Sequence, residues 1–128
     1  MNSVTNAISS VRGSLEDALH EGRMSGLAAV KKFVASSKLS PEGLVVDTCG
    51  RAHLKVFKPS YHFREALKQI YPDARAHRAA WMVLGFGQEI DGEAGQSITA
   101  HELACSTALE ILKAKFPAEN FMVSSYVD

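Results

Sequence analysis

Apolar residues recur along this chain with two different periods, and the periods predict most of its elements. Val4, Ile8, Val11, Leu15 and Leu19 are spaced four, three, four and four apart, one stripe of an amphipathic helix that runs to about His20 with Gly22 as its stop. Gly13 within it costs about 1 kcal/mol relative to alanine. Leu27, Val30 and Val34, with Phe33 beside them, continue as a second helix from near Ser25 to Ser36-Ser37-Lys38. The short polar joint leaves two arrangements open, an antiparallel helical pair or one helix with a break at Gly22. Ser40-Pro41-Glu42-Gly43 is a turn, with proline placed after serine as turns prefer.

The period then shortens. Residues 44–48 and 53–57 are β-rich runs on either side of Cys49-Gly50-Arg51-Ala52 and predict a hairpin. Alternation on its second strand puts Arg51, His53 and Lys55 on one face and Leu54 and Val56 on the other. Pro59-Ser60 introduces a helix with Phe63, Leu67 and Ile70 as its buried stripe and Arg64, Glu65 and Lys68 outward, closed by Tyr71-Pro72-Asp73. Residues 79–84 show no polar alternation and stop at Gly85 and Gly87, which predicts a central strand covered on both faces.

A glycine-punctuated acidic loop over residues 87–96 follows. Beyond it, Thr99 and Glu102 have the spacing of a capping box, and Cys105, Leu109, Leu112 and Phe116 share one helical stripe that Pro117 ends. Residues 121–127 give a last strand. The sum is a single α/β or α+β domain over residues 1–128, helical through residue 39. From residue 40 it is a four-stranded mixed sheet, a β-hairpin plus two crossover strands, with an N-terminal helical pair and two further helices. Right-handed crossovers would make the last strands parallel neighbours.

At 128 residues, with 46% apolar and 22% charged residues, the chain can bury an ordinary core without disulfide or metal support. Two cysteines, Cys49 and Cys105, are too few for a disulfide framework and form no CxxC, so a reducing cytoplasmic setting is expected. No apolar run reaches the roughly 18 residues that span a bilayer, and residues 1–5 have neither the cationic start nor the apolar centre of a secretory signal. Membrane partners are therefore not expected.

The formal net charge is zero, yet the charges are segregated. Residues 1–50 carry five Lys/Arg and five Asp/Glu, residues 51–78 seven against two, and residues 79–128 two against seven. A chain with such separated fields can hold an anionic partner on one surface and a cationic one on another, or pair with its own copy. Arg51, His53, Lys55, Arg75 and Arg78 are the candidates for an anionic partner, and Glu89, Asp91 and Glu93 for a cationic partner or a metal ion.

No stretch carries a recognisable catalytic signature. The acidic loop lies where open α/β sheets bind ligands, but its glycines fit neither the dinucleotide nor the Walker spacing, and its carboxylates would repel a phosphate. His101 and Cys105 share a helix face as zinc ligands can, although structural roles, with the histidine facing solvent, are the expectation. Cys49 and His53 form a possible nucleophile pair with no third orienting group. Asp47 at the end of one hairpin strand and Lys55 on the next, followed by a helix and an apolar strand, resembles the metal-dependent nucleases built on Asp and Glu/Asp-x-Lys. That resemblance covers about 40 residues by topology and implies magnesium held by carboxylates, but His53 stands where the second carboxylate would be. Aromatic residues interleave with the basic ones at Phe57, Tyr61, Phe63 and Tyr71, so a nucleotide or nucleic acid is an alternative ligand. The leading expectation is a non-enzymatic binding or inhibitory module, without cofactor, that recognises a protein partner or itself through charged surfaces.

Overall fold

A computed structural model describes residues 3–39, 41, 43, 47–95 and 97–127, with the side chain of Glu93 outside the description. Among the described residues four helices and four strands follow in the order α1 (Ser3–Ser36), β1 (Gly50–Phe57), α2 (Tyr61–Ile70), β2 (Ala76–His77), β3 (Ala80–Leu84), α3 (Gln88–Ala94), α4 (Ile98–Lys115) and β4 (Asn120–Val127). The fold is α+β around one core, and its four strands form one sheet in the order β2-β3-β1-β4.

Every neighbouring pair in the sheet is antiparallel. Because β3 and β4 both run opposite to β1, they run parallel to each other. The crossover expected between them exists, but β1 lies between the two strands, so they are not neighbours. The two inner strands are accordingly β1 and β3, so the run over residues 79–84 does form an interior strand, between β1 and the short β2. Met82 on β3 is 49% exposed, so that strand is not covered on both faces. The unbroken apolar run has a different cause: a register irregularity opposite Leu54/Lys55 lets both Val83 and Leu84 turn inward and become buried. Of the expected hairpin only the second strand is confirmed, as β1; residues 44–46 lie outside the described residues.

The first two predicted helices are one continuous helix. Gly22 does not stop it, because this glycine sits where α4 crosses closest. A Cβ at Gly22 would stand 3.1 Å from Cβ of Ala108, and one at Gly26 would stand 2.7 Å from the Phe86 ring and 2.9 Å from the carbonyl oxygen of Ala104. Gly22 and Gly26 of α1 thus meet Ala108 and Ala104 of α4, which are buried themselves. Small residues on both sides allow this approach, and the packing outweighs the roughly 1 kcal/mol each helical glycine costs. The opposite side of α4 lies on the sheet, where Cys105 Sγ donates to the carbonyl of Ala52. This helix is thus covered on two sides, with α1 resting on α4 and α2.

Helix α4 begins two residues earlier than the Thr99/Glu102 spacing suggested. Its cap is Ser97, whose Oγ accepts from Ala100 N–H at 3.1 Å. Asp47 braces this cap from the segment before β1: its Oδ2 accepts from Ser97 Oγ at 2.6 Å and from Thr99 N–H at 2.8 Å. Glu102 instead accepts from Ser125 Oγ on β4 at 2.8 Å. Inside the expected acidic loop, residues 88–94 form the short helix α3.

Candidate functional site: the open sheet face and the cavity beside it

Helices cover one face of the sheet, and burial alternates along β1 accordingly. Ala52, Leu54 and Val56 are buried, while Arg51, His53, Lys55 and Phe57 are half-buried on the other face. Register then assigns their neighbours on that open face. On β4, Arg51 lies opposite Tyr126, His53 opposite Ser124, Lys55 opposite Met122 and Phe57 opposite Asn120. On β3, Lys55 lies opposite Met82 and Phe57 opposite Ala80. The strands therefore bring three basic side chains (Arg51, His53 and Lys55), two thioethers and the rings of Phe57 and Tyr126 to one surface, and none of these strand positions carries a carboxylate.

The nitrogen-bearing groups are not equivalent. Arg51 donates to Asp91 Oδ2 at 2.6 Å, so its charge is partly balanced. His53 packs against Tyr126 with ring centroids 5.5 Å apart, and its pKa is lowered, first by burial and then by the charges of Lys55, His101 and Arg51. Near neutral pH it is an uncharged ring. Lys55 forms no ion pair among the described residues and is the unbalanced cation at the centre of the face.

A cavity of about 370 Å³ opens beside this face, lined by Arg23, Tyr71, Arg75, Met82, Leu84 and Gly85 among others. Its origin is a hairpin that splays. Strand β2 pairs with β3 only at Ala76↔Trp81 and His77↔Ala80, and the segment over residues 73–75 then diverges from Met82 onward. The turn of this hairpin is Arg78-Ala79, both with positive φ (52° and 64°), the two-residue geometry that normally selects Asn-Gly. Arg23 on α1 bounds the cavity, donating to the carbonyl of Gly85 at 3.2 Å and pairing with Glu89. Burial raises the Tyr71 phenol pKa, against the opposing pull of the Arg23 charge. Arg75 lies on the lining with no ion pair among the described residues. Asp73 also lies on the lining, so the margin carries two cationic groups and one carboxylate around an apolar wall, the ordinary build of a small-ligand or side-chain pocket. Met82 belongs to both regions, and joins Lys55 to the cavity.

The acidic candidates lie elsewhere. Glu89 is paired with Arg23, and Asp91 bridges Arg51 and His101, whose Nε2 donates to Asp91 Oδ1 at 2.9 Å. The acidic and basic segments therefore interlock at α3. His101 is 1% exposed and not solvent-facing as expected, because α4 is covered on this side too. Its Nδ1 has no hydrogen-bond partner. An Asp–His pair can orient a proton-transferring imidazole, but here the second nitrogen is sealed in the core. Burial, with Glu102 nearby, raises the Cys105 thiol to about 12, so it is no nucleophile at neutral pH.

The remaining candidates are also far apart. Asp47 is taken up at the α4 cap. Lys55 lies five residues into β1, roughly 16 Å along the strand at about 3.3 Å per residue, too far for one magnesium site. Among the described residues no three His, Cys, Asp or Glu side chains gather as metal ligands do, and no helix is long and apolar enough to cross a membrane. Arg78 is exposed at the β2–β3 turn, away from Arg51. Compared with protein-family models, curated proteins and solved structures, the chain matches none.

Proposed function

We propose that the protein is a non-enzymatic binding module whose open sheet face receives an acidic segment of a protein partner. The observation that carries this reading is the composition of that face: Lys55 and Arg51 beside Met82, Met122, Phe57 and Tyr126, with no carboxylate contributed by its strand positions. Acidic groups of the partner would lie along Lys55 and His53. An apolar side chain next to a carboxylate would enter the cavity, with its charge at Arg75. Apolar area supplies the affinity there, and the cations supply orientation and rate of encounter.

The test is a titration with a synthetic peptide of alternating Glu and Leu, followed by the fluorescence of Trp81, the single tryptophan, which neighbours Met82. Binding should weaken steeply with added salt, and Lys55→Glu and Arg75→Glu should each weaken it about tenfold, or about 1.4 kcal/mol. Binding indifferent to both salt and charge reversal would refute the proposal. A second reading rests on the rings: Phe57, His53 and Tyr126 share the face with the cations and could stack on bases. Preference for a single-stranded oligonucleotide over the peptide, lost in Phe57→Ala, would favour it.

A further inference from the structure

Strand β4 forms one edge of the sheet. Its register with β1 is continuous from Gly50↔Val127 to Phe57↔Asn120, and among the described residues no strand pairs with its outer side. An edge strand presents a row of unpaired N–H and C=O groups, and proteins ordinarily blunt such edges by shortness, charge, proline or a bulge. The opposite edge is blunted in this way: β2 has two residues and is flanked by Arg75 and Arg78. None of these devices is present on β4. Asn-Phe-Met-Val-Ser-Ser-Tyr-Val contains no charge, proline or glycine, has no irregularity in its pairing, and leaves Val127 66% and Tyr126 45% exposed.

We infer that β4 is a dimer interface, in which two copies of this chain pair β4 to β4 antiparallel about a twofold axis at Ser124. The two sheets then become one of eight strands. The occupant follows from the strand's own sequence. Side chains directly opposite each other in an antiparallel pair share a face, so the axis must pass through a residue and not between two residues. With the axis at Ser124, Met122 lies against the partner's Tyr126 twice on the open face. On the helix side Phe121 lies against the partner's Val127 twice, and Val123 against the partner's Ser125. The exposed apolar groups of the edge are thereby paired with one another. An axis at Val123 would set Met122 against serine, Phe121 against serine and Tyr126 against asparagine, with Val127 beyond the strand opposite Glu119. No like charges meet along the strand. The dimer shares Met122 and Tyr126 with the open face proposed above but uses neither Lys55 nor the cavity, so sedimentation and peptide titration read the two proposals separately.

Sedimentation equilibrium of the full chain over the micromolar range provides the test. The mass should rise with concentration toward twice the 13.9 kDa of one chain. Ser124→Lys places two ammonium groups against each other at the axis, and should raise the dissociation constant about tenfold or more with an unchanged circular dichroism spectrum. In a Cys49→Ser background, Ser124→Cys treated with oxidised glutathione should yield a covalent dimer, and Asn120→Cys should not. This second arm stands even if the lysine variant folds poorly. A protein that stays monomeric throughout, a dimer that Ser124→Lys leaves as tight as before, or cross-linking at Asn120 and not at Ser124 would each overturn the inference.

Discussion

Adjacent residues of β1 live in different surroundings. Ala52, Leu54 and Val56 are sealed beneath α4, whereas Arg51, His53, Lys55 and Phe57 lie half-buried on the uncovered face. The covered side holds the molecule together through apolar burial and close helix packing. The open side contributes little to that, so its charges can serve recognition without endangering the fold. Stability and binding should therefore respond to different substitutions, even one residue apart.

The largest effect is expected at the helix seam behind the covered face. Gly26→Leu forces a side chain into the Phe86 ring and the Ala104 carbonyl, and should lower unfolding free energy in urea by about 3 kcal/mol or more. Leu54→Ala, in the middle of the covered face, should cost about 2–5 kcal/mol by the same measurement. Asp91→Ala leaves both Arg51 and the buried His101 without their carboxylate, and should cost about 2–3 kcal/mol. Lys55→Ala, next to Leu54, should stay within about 0.5 kcal/mol while weakening acidic-peptide binding. If Lys55→Ala and Leu54→Ala prove equally damaging, the separation of the two faces is wrong.

The smallest effects concern pH. Partial burial alone would raise the pKa of Asp47, but hydrogen bonds from Ser97, from the N–H and side chain of Thr99 and from the N–H of Thr48 outweigh it. The carboxyl is held at about 2, below its ordinary 3.8. Its folded pKa is depressed, so the stabilisation is complete above about pH 4 and fades as pH falls toward 2. Because the group is largely exposed, solvent screening keeps it under about 1 kcal/mol, readable as the difference between native protein and Asp47→Asn in acid unfolding. His53 supplies a binding counterpart. Its pKa is lowered in the free protein, and an acidic partner would favour its protonated form, so peptide affinity should rise as pH falls below neutral. His53→Asn should flatten that rise in a pH series of titrations.

Much of the fold was legible because side-chain period reports which face is covered. The alternation on β1, the Phe63–Leu67 stripe of α2, the Cys105–Leu112 stripe of α4 and the final strand all follow from it. Pattern alone could not reveal that Gly22 and Gly26 mark a helix crossing and not a helix end, since a glycine means either until its neighbour is known. Nor could it show β1 inserting between β3 and β4, because strand order depends on long-range pairing. His101 misled for a related reason: a polar residue suggests solvent unless its partner, Asp91 ten positions earlier, is seen to reach it. Of the candidate site, Lys55 and His53 were placed on a common face by alternation, and Arg75 proved to line a cavity. That cavity left only a faint trace, the Arg78-Ala79 pair occupying a turn that prefers Asn-Gly.

The contact between α1 and α4 spans most of the chain. Helix α1 is synthesised well before α4, yet its glycine-lined side has no complement until residues 98–115 exist. A growing polypeptide leaves the side of α1 around Gly22 and Gly26 without its α4 complement over that interval, and the entropy of closing so long a loop makes the late docking of α4 the step that commits the molecule. Assembly should therefore be slow for a protein this helical and close to all-or-none. The interval before α4 emerges is when the chain should be most prone to aggregate.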